Sequence, residues 1–149
     1  MTRAALILAA LAALCTPAHA DPDRLSILLG SAHIGGDGFD GRNPGLALTW
    51  EDVGGVDLSV AAYRNSYGRG SLAVTATLPM ISWADGEAAL FLGAALYPED
   101  GRRFRFHIGD VVPVGGVQLR HHNLFFQIMP GDGRAMDAVV AGGVTFAID

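Results

Sequence analysis

At 149 residues the chain has room for one domain. Only 17% of it is charged, every basic residue is an arginine, and the formal net charge is −5. The balance is acidic and the single basic cluster is short, so nucleic acid is not expected as a partner, and a single cysteine excludes an internal disulfide framework.

The chain opens MTRAALILAALAALCTPAHA. Arg3 supplies a positive n-region, Ala4 to Leu14 run apolar without a break, and Ala18-His19-Ala20 fits the small-x-small cleavage rule. Residues 1–20 therefore read as a secretory signal peptide, cleaved on export. The run is too short to span a bilayer as a helix. Leu14 stands where a lipoprotein signal would carry a small residue, so Cys15 is not expected to hold a lipid anchor. Residues 21–149 then form one exported domain.

Within that domain short apolar runs alternate with clusters of Gly, Asp, Asn and Pro, and no stretch sustains a helical period. The runs predict strands over 25–34, 45–51, 56–64, 71–81, 87–97, 104–112, 114–128 (bent or broken) and 137–148. Turn signals lie between them at GGDGFDGRNPG, EDVGG, SYGRG, ADGE, PEDGR and PGDGR. About eight strands with short turns fit an all-β fold, a small antiparallel up-and-down barrel. Many runs approach the ~9–11 residues a tilted strand needs to cross a bilayer, so an outer-membrane barrel is expected.

Alternation along the strands suggests what lies inside. The third strand sets Val56, Leu58, Val60 and Ala62 against Asp57, Ser59, Ala61 and Tyr63. The fifth is apolar on both faces, Ala88, Leu90, Leu92 and Ala94 against Ala89, Phe91, Gly93 and Ala95, and the last is nearly so. The expectation is an apolar interior, either packed shut or holding one small ligand such as an acyl chain.

Polar residues gather at one set of strand ends. His33 closes the first strand, Asn43 and Pro44 open the second, and Arg64, Asn65, Ser66 and Tyr67 close the third. In an up-and-down barrel these ends share a rim, so His33 and Ser66 can meet. A histidine beside a serine suits acyl transfer, because imidazole takes the hydroxyl proton and returns it to a leaving group. The other reading of a histidine at a strand end is a solvated rim residue.

Four segments carry a resemblance: LLGSAHIGG with His33; GRNPGLALTW; Arg64-Asn65-Ser66-Tyr67; and DVVPVGGVQL followed by FFQIMPG. In this order, over about residues 25–149, they resemble the outer-membrane lipid A palmitoyltransferases, the PagP-like barrels. The resemblance implies a monomeric enzyme that moves a fatty acyl chain from a phospholipid to lipid A, with the acyl chain inside the barrel and no cofactor. It makes His33 the general base and Ser66 the hydroxyl it activates or a donor to the oxyanion. Asn65 stands where the family has aspartate and would orient the site without a charge, with Asp37 or Asp40 as candidate substitutes. Arg64, Tyr67 and Arg69 would bind substrate, with the arginines pairing with phosphate oxygens. Pro44, Pro113 and Pro130 would mark lateral openings for lipid, since proline cannot donate to a ladder. The aspartate-to-Asn65 change keeps a second reading open, a non-catalytic lipid-binding or structural barrel of the same fold.

Other polar clusters carry less. His121 and His122 are adjacent, so on a strand they point to opposite faces and do not share a metal. GGDGFDG lacks the ligand spacing and closing Glu of a calcium loop. Arg102, Arg103 and Arg105 form the one basic cluster, read as a charged run flanking a turn, with contact to lipid phosphates as the other reading.

Overall fold

A computed structural model describes residues 21–132 and 136–148; the signal-peptide segment lies outside the described residues. The chain is a closed barrel of eight antiparallel strands in simple chain order. They are β1 (Arg24–Ile34), β2 (Gly45–Trp50), β3 (Asp57–Arg64), β4 (Gly70–Trp83), β5 (Gly86–Leu96), β6 (Val111–His121), β7 (Leu124–Pro130) and β8 (Ala138–Ala147), and β8 closes on β1.

The expected strand count holds, but the sixth and seventh strands shift. Residues 104–112 were expected to form a strand; only Val111 and Val112 do, and the rest belongs to a long connection containing one 3-10 turn, Gly101–Arg103. Residues 114–128 split into β6 and β7 around His122-Asn123. His122 there takes φ 50°, a left-handed conformation usually signalled by Gly. Phe104, Phe106 and Ile108 alternate like a strand, but Phe104 packs into an aromatic cluster while the other two stay exposed.

The barrel ends differ. The end that carries the chain termini has two-residue turns at 84–85 and 122–123 and a six-residue connection at 51–56. The opposite end carries the connections 35–44, 65–69 and 97–110. Long connections at one end and short turns at the other are usual in membrane barrels.

The outer surface is apolar. Leu46 and Leu48 of β2, Leu72 and Leu78 of β4, Leu90 and Leu92 of β5, Leu124, Phe126 and Ile128 of β7 are all exposed. Water would penalise such a surface heavily, and exposed apolar area on this scale calls for a covering phase.

The interior is less apolar than the alternation suggested. Of the two faces of β3, the one bearing Asp57, Ser59, Ala61 and Tyr63 lines the lumen, and Thr75, Thr77, Glu87, Gln118 and Gln127 join it. These groups satisfy one another: Ser26 bonds Thr145 at 2.9 Å, Thr49 bonds Ser59 at 2.8 Å, and Gln127 donates to Gln118 at 2.8 Å. Toward the termini Arg120 lies 3.1 Å from Glu87 and 3.5 Å from Glu51, which also takes Arg24 at 2.8 Å. The sequence pattern misled because alternation does not say which face turns inward, and here the apolar half of the β3 alternation faces out while the polar half lines the lumen. The remaining cavity holds about 170 Å³.

Candidate functional site at the barrel mouth

β1 and β3 end at the same rim, and the 65–69 turn folds Ser66 back over it. His33 Nε2 and Ser66 Oγ lie 2.8 Å apart, a full hydrogen bond between residues 33 positions apart in the chain. Phe39 stacks on the imidazole with centroids 4.6 Å apart and planes 17° apart. The backbone N–H of Asp40 donates to the Ser66 carbonyl at 3.0 Å, which fastens the first long connection to the serine turn. The histidine is thus held by a ring face and by the serine. Among the described residues no carboxylate bonds to it.

Asn65 holds the turn instead of the histidine. It is only 1% exposed. Its Oδ1 accepts the N–H groups of Tyr67 (2.9 Å) and Arg69 (3.0 Å), and its Nδ2 donates to Ser71 Oγ at 2.9 Å. An aspartate would accept the same two amides. Ser71, a hydroxyl that donates or accepts, would then donate. The two amides and the Ser71 hydroxyl lose a partner in Asn65→Ala, which costs about 2 kcal/mol locally. The expected result is much faster amide hydrogen exchange at Tyr67 and Arg69 in that variant, with barrel-strand protection retained and Asn65→Asp close to the native chain. Unchanged exchange in Asn65→Ala would mean that something else holds the turn.

The two arginines expected to meet phosphate are committed to protein carboxylates. Arg64 pairs with Asp40 at 3.0 Å and Arg69 with Glu99 at 3.0 Å and with Asp100. Asp40 is therefore an ion-pair partner of Arg64 and does not orient His33. Asp37 makes no bond to it either. Tyr67 meets Phe39, Tyr97 and Phe104 edge-on. Burial holds its phenol above the usual tyrosine range, so it is a neutral group at the mouth.

Asn43 is also buried, taking the Ser31 hydroxyl on Oδ1 and donating to the Arg64 carbonyl at 3.1 Å. Pro44 follows it, and its carbonyl accepts the Arg64 N–H at 2.9 Å. The β1–β2 ladder runs only from Arg24↔Thr49 to Leu28↔Gly45, so above Leu28 the first strand has ladder partners on the β8 side alone. A second interruption lies across the barrel. β6 and β7 pair from Val117↔Ile128 down to His121↔Leu124, whereas Val111–Gly116 pair with β5 only. Pro113 sits in that half-paired segment and Pro130 at the mouth end of β7. All three prolines therefore lie beside ladder interruptions at the His33 end, the first of them crossed by a bond from the Ser31 N–H to the Gly41 carbonyl at 2.9 Å.

Phe39, Ser71, Asp100 and Arg103 complete the mouth; of these only Arg103, in the basic cluster, was named from the sequence. Phe39 is the one aromatic in the glycine-rich connection, a signal in retrospect; Ser71 and Asp100 had none. No metal-ligating cluster occurs among the described residues. No protein-family model and no curated protein matches the chain.

Proposed function

We propose that this chain is an outer-membrane acyltransferase of the PagP-like type, moving a fatty acyl chain from a phospholipid to lipid A or a related lipid. The observation that carries the reading is the 2.8 Å contact between His33 Nε2 and Ser66 Oγ at the long-loop mouth of a barrel with an apolar outer face. In the tautomer with hydrogen on Nδ1, His33 accepts the Ser66 proton as Oγ bonds to the ester carbonyl carbon. The imidazolium then gives that proton to the departing lysophospholipid alkoxide, leaving an acyl-serine. The acceptor hydroxyl repeats the sequence in reverse, with His33 again taking and returning one proton. In a direct transfer His33 deprotonates the acceptor itself and Ser66 donates to the oxyanion. The two half-paired seams give lipid tails a way from the membrane to this mouth.

A second reading is a lipid-binding barrel without catalysis. The absence of a carboxylate on His33 among the described residues favours it, because nothing there offsets an imidazolium charge.

The deciding experiment is the lipid A mass spectrum of a Gram-negative host lacking its own enzyme of this type. One added acyl chain is expected with the native chain and none with Ser66→Ala. No addition, from a barrel with heat-modifiable gel mobility that fractionates with the outer membrane, would favour the binding reading. A chain recovered only in the soluble periplasm would sink the membrane assignment.

A further inference from the structure

We propose that Arg103 binds the phosphate of the lipid that reaches this mouth. The inference rests on the reading that a membrane lipid enters there, and it does not require turnover.

Asp100 is the anchor. It is 1% exposed, yet its carboxylate takes two arginines: Arg69 on one oxygen and Arg103, through Nε at 2.7 Å, on the other. The Arg103 guanidinium also lies 5.0 Å from the centre of the Tyr67 ring, within cation–π range. Tyr67 directly follows Ser66. A buried carboxylate and an aromatic face therefore fix the orientation of a side chain that remains 63% exposed. Nε is spent on Asp100, while Nη1 and Nη2 have no protein partner among the described residues. Two parallel donors held still against the Tyr67 ring match two oxygens of a phosphate ester, and most of the ordering entropy is already lost.

Location selects a lipid over other phosphates. Arg103 belongs to the 97–110 connection, which leads directly into the half-paired part of β6. The Arg105 N–H donates to Asp132 at 2.8 Å, tying this connection to the one between β7 and β8 and so bridging the β6–β7 seam. The same connection exposes Phe106 and Ile108, at 61% and 79%. Apolar side chains next to arginines suit the boundary between acyl chains and headgroups. A lipid whose tails enter the seam would have its phosphate at the level of Arg103.

The test is equilibrium binding to the full barrel in nonionic detergent micelles. The probes are phosphatidylglycerol, lipid A, a diacylglycerol with matched chains, and inorganic phosphate. The native chain should hold the two phosphorylated lipids at least ~10-fold more tightly than diacylglycerol, the factor expected from one charge-assisted hydrogen-bond pair. Arg103→Gln should erase that preference and leave diacylglycerol binding unchanged, and Arg103→Lys should restore part of it. Asp100→Asn, which leaves the arginine in place but frees it, should fall between. Arg42→Gln, an exposed arginine in the first connection, should bind like the native chain. If Arg42→Gln weakens binding as much as Arg103→Gln, general surface charge explains the preference and the proposal fails. It also fails if Arg103→Gln binds phosphorylated lipid like the native chain, or if inorganic phosphate displaces the lipids at sub-millimolar concentration, which marks a free-phosphate site. Heat-modifiable mobility of each variant verifies that the barrel has formed. A native chain that shows the preference but transfers no acyl group would overturn the acyltransferase reading and leave this one standing.

Discussion

With the proposed acyltransferase activity, His33→Ala should lower transfer by about 10²–10⁴-fold, the usual contribution of a positioned general base. The barrel should be unaffected, because the ring sits at the rim and no strand ladder depends on it. Ser66 Oγ loses the acceptor 2.8 Å away, and a serine hydroxyl without a base is a poor nucleophile near neutral pH. His33→Gln separates the two contributions of the ring. An amide can still bond to the serine, but it cannot carry a proton through a cycle. Gln should therefore be as inactive as Ala while binding lipid normally. Lipid A acylation in cells and turnover in micelles both report this. Gln activity within about threefold of the native rate would remove His33 from the role of base.

Arg120→Met should cost about 3 kcal/mol of barrel stability, the largest stability loss expected of any single change discussed. Arg120 lies between Glu87 at 3.1 Å and Glu51 at 3.5 Å, and Glu87 is 8% exposed. Methionine fills much of the same volume but strands a carboxylate inside the lumen. The cost comes from that orphaned charge more than from the lost attraction. Replacing both partners should accordingly recover most of it, so Arg120→Met with Glu87→Gln should unfold near the native urea midpoint. A single variant within ~0.5 kcal/mol of native would mean that water already screens the pair.

The fold was largely legible, and the reason is period. Alternation over β3, short apolar runs at β5 and β8, and turn clusters between the strands point to an up-and-down barrel without any long-range information. Alternation does not say which face turns inward. Ser59 with Asp57, or Val60 with Leu58, could each line the lumen, and the choice depends on what surrounds the barrel. The 114–128 run was expected to bend or break, but the place of the break was hidden because His122 adopts a left-handed φ without being Gly. At the site, the meeting of His33 and Ser66 followed from strand parity alone. The role of Asn65 did not, because its partners, Ser71 and two backbone amides, depend on how the turn closes. The commitments of Arg64 and Arg69 were also hidden, since Asp40, Glu99 and Asp100 approach them from other connections.

The first strand is secured more fully by the last strand than by the second. β1 pairs with β8 from Arg24 to Ile34, but with β2 only as far as Leu28. The upper part of β1, where His33 lies, therefore has its strand partner only in the final residues of the chain; on its other side the first connection supplies a backbone bond, from the Ser31 N–H to the Gly41 carbonyl at 2.9 Å. Joining chain segments so far apart carries the full entropy of closing a very long loop. The ladder that holds the His33 strand is then complete only once the barrel has closed. A polypeptide stalled before β8 would carry the chemistry-bearing residues of the mouth without holding them in a working arrangement.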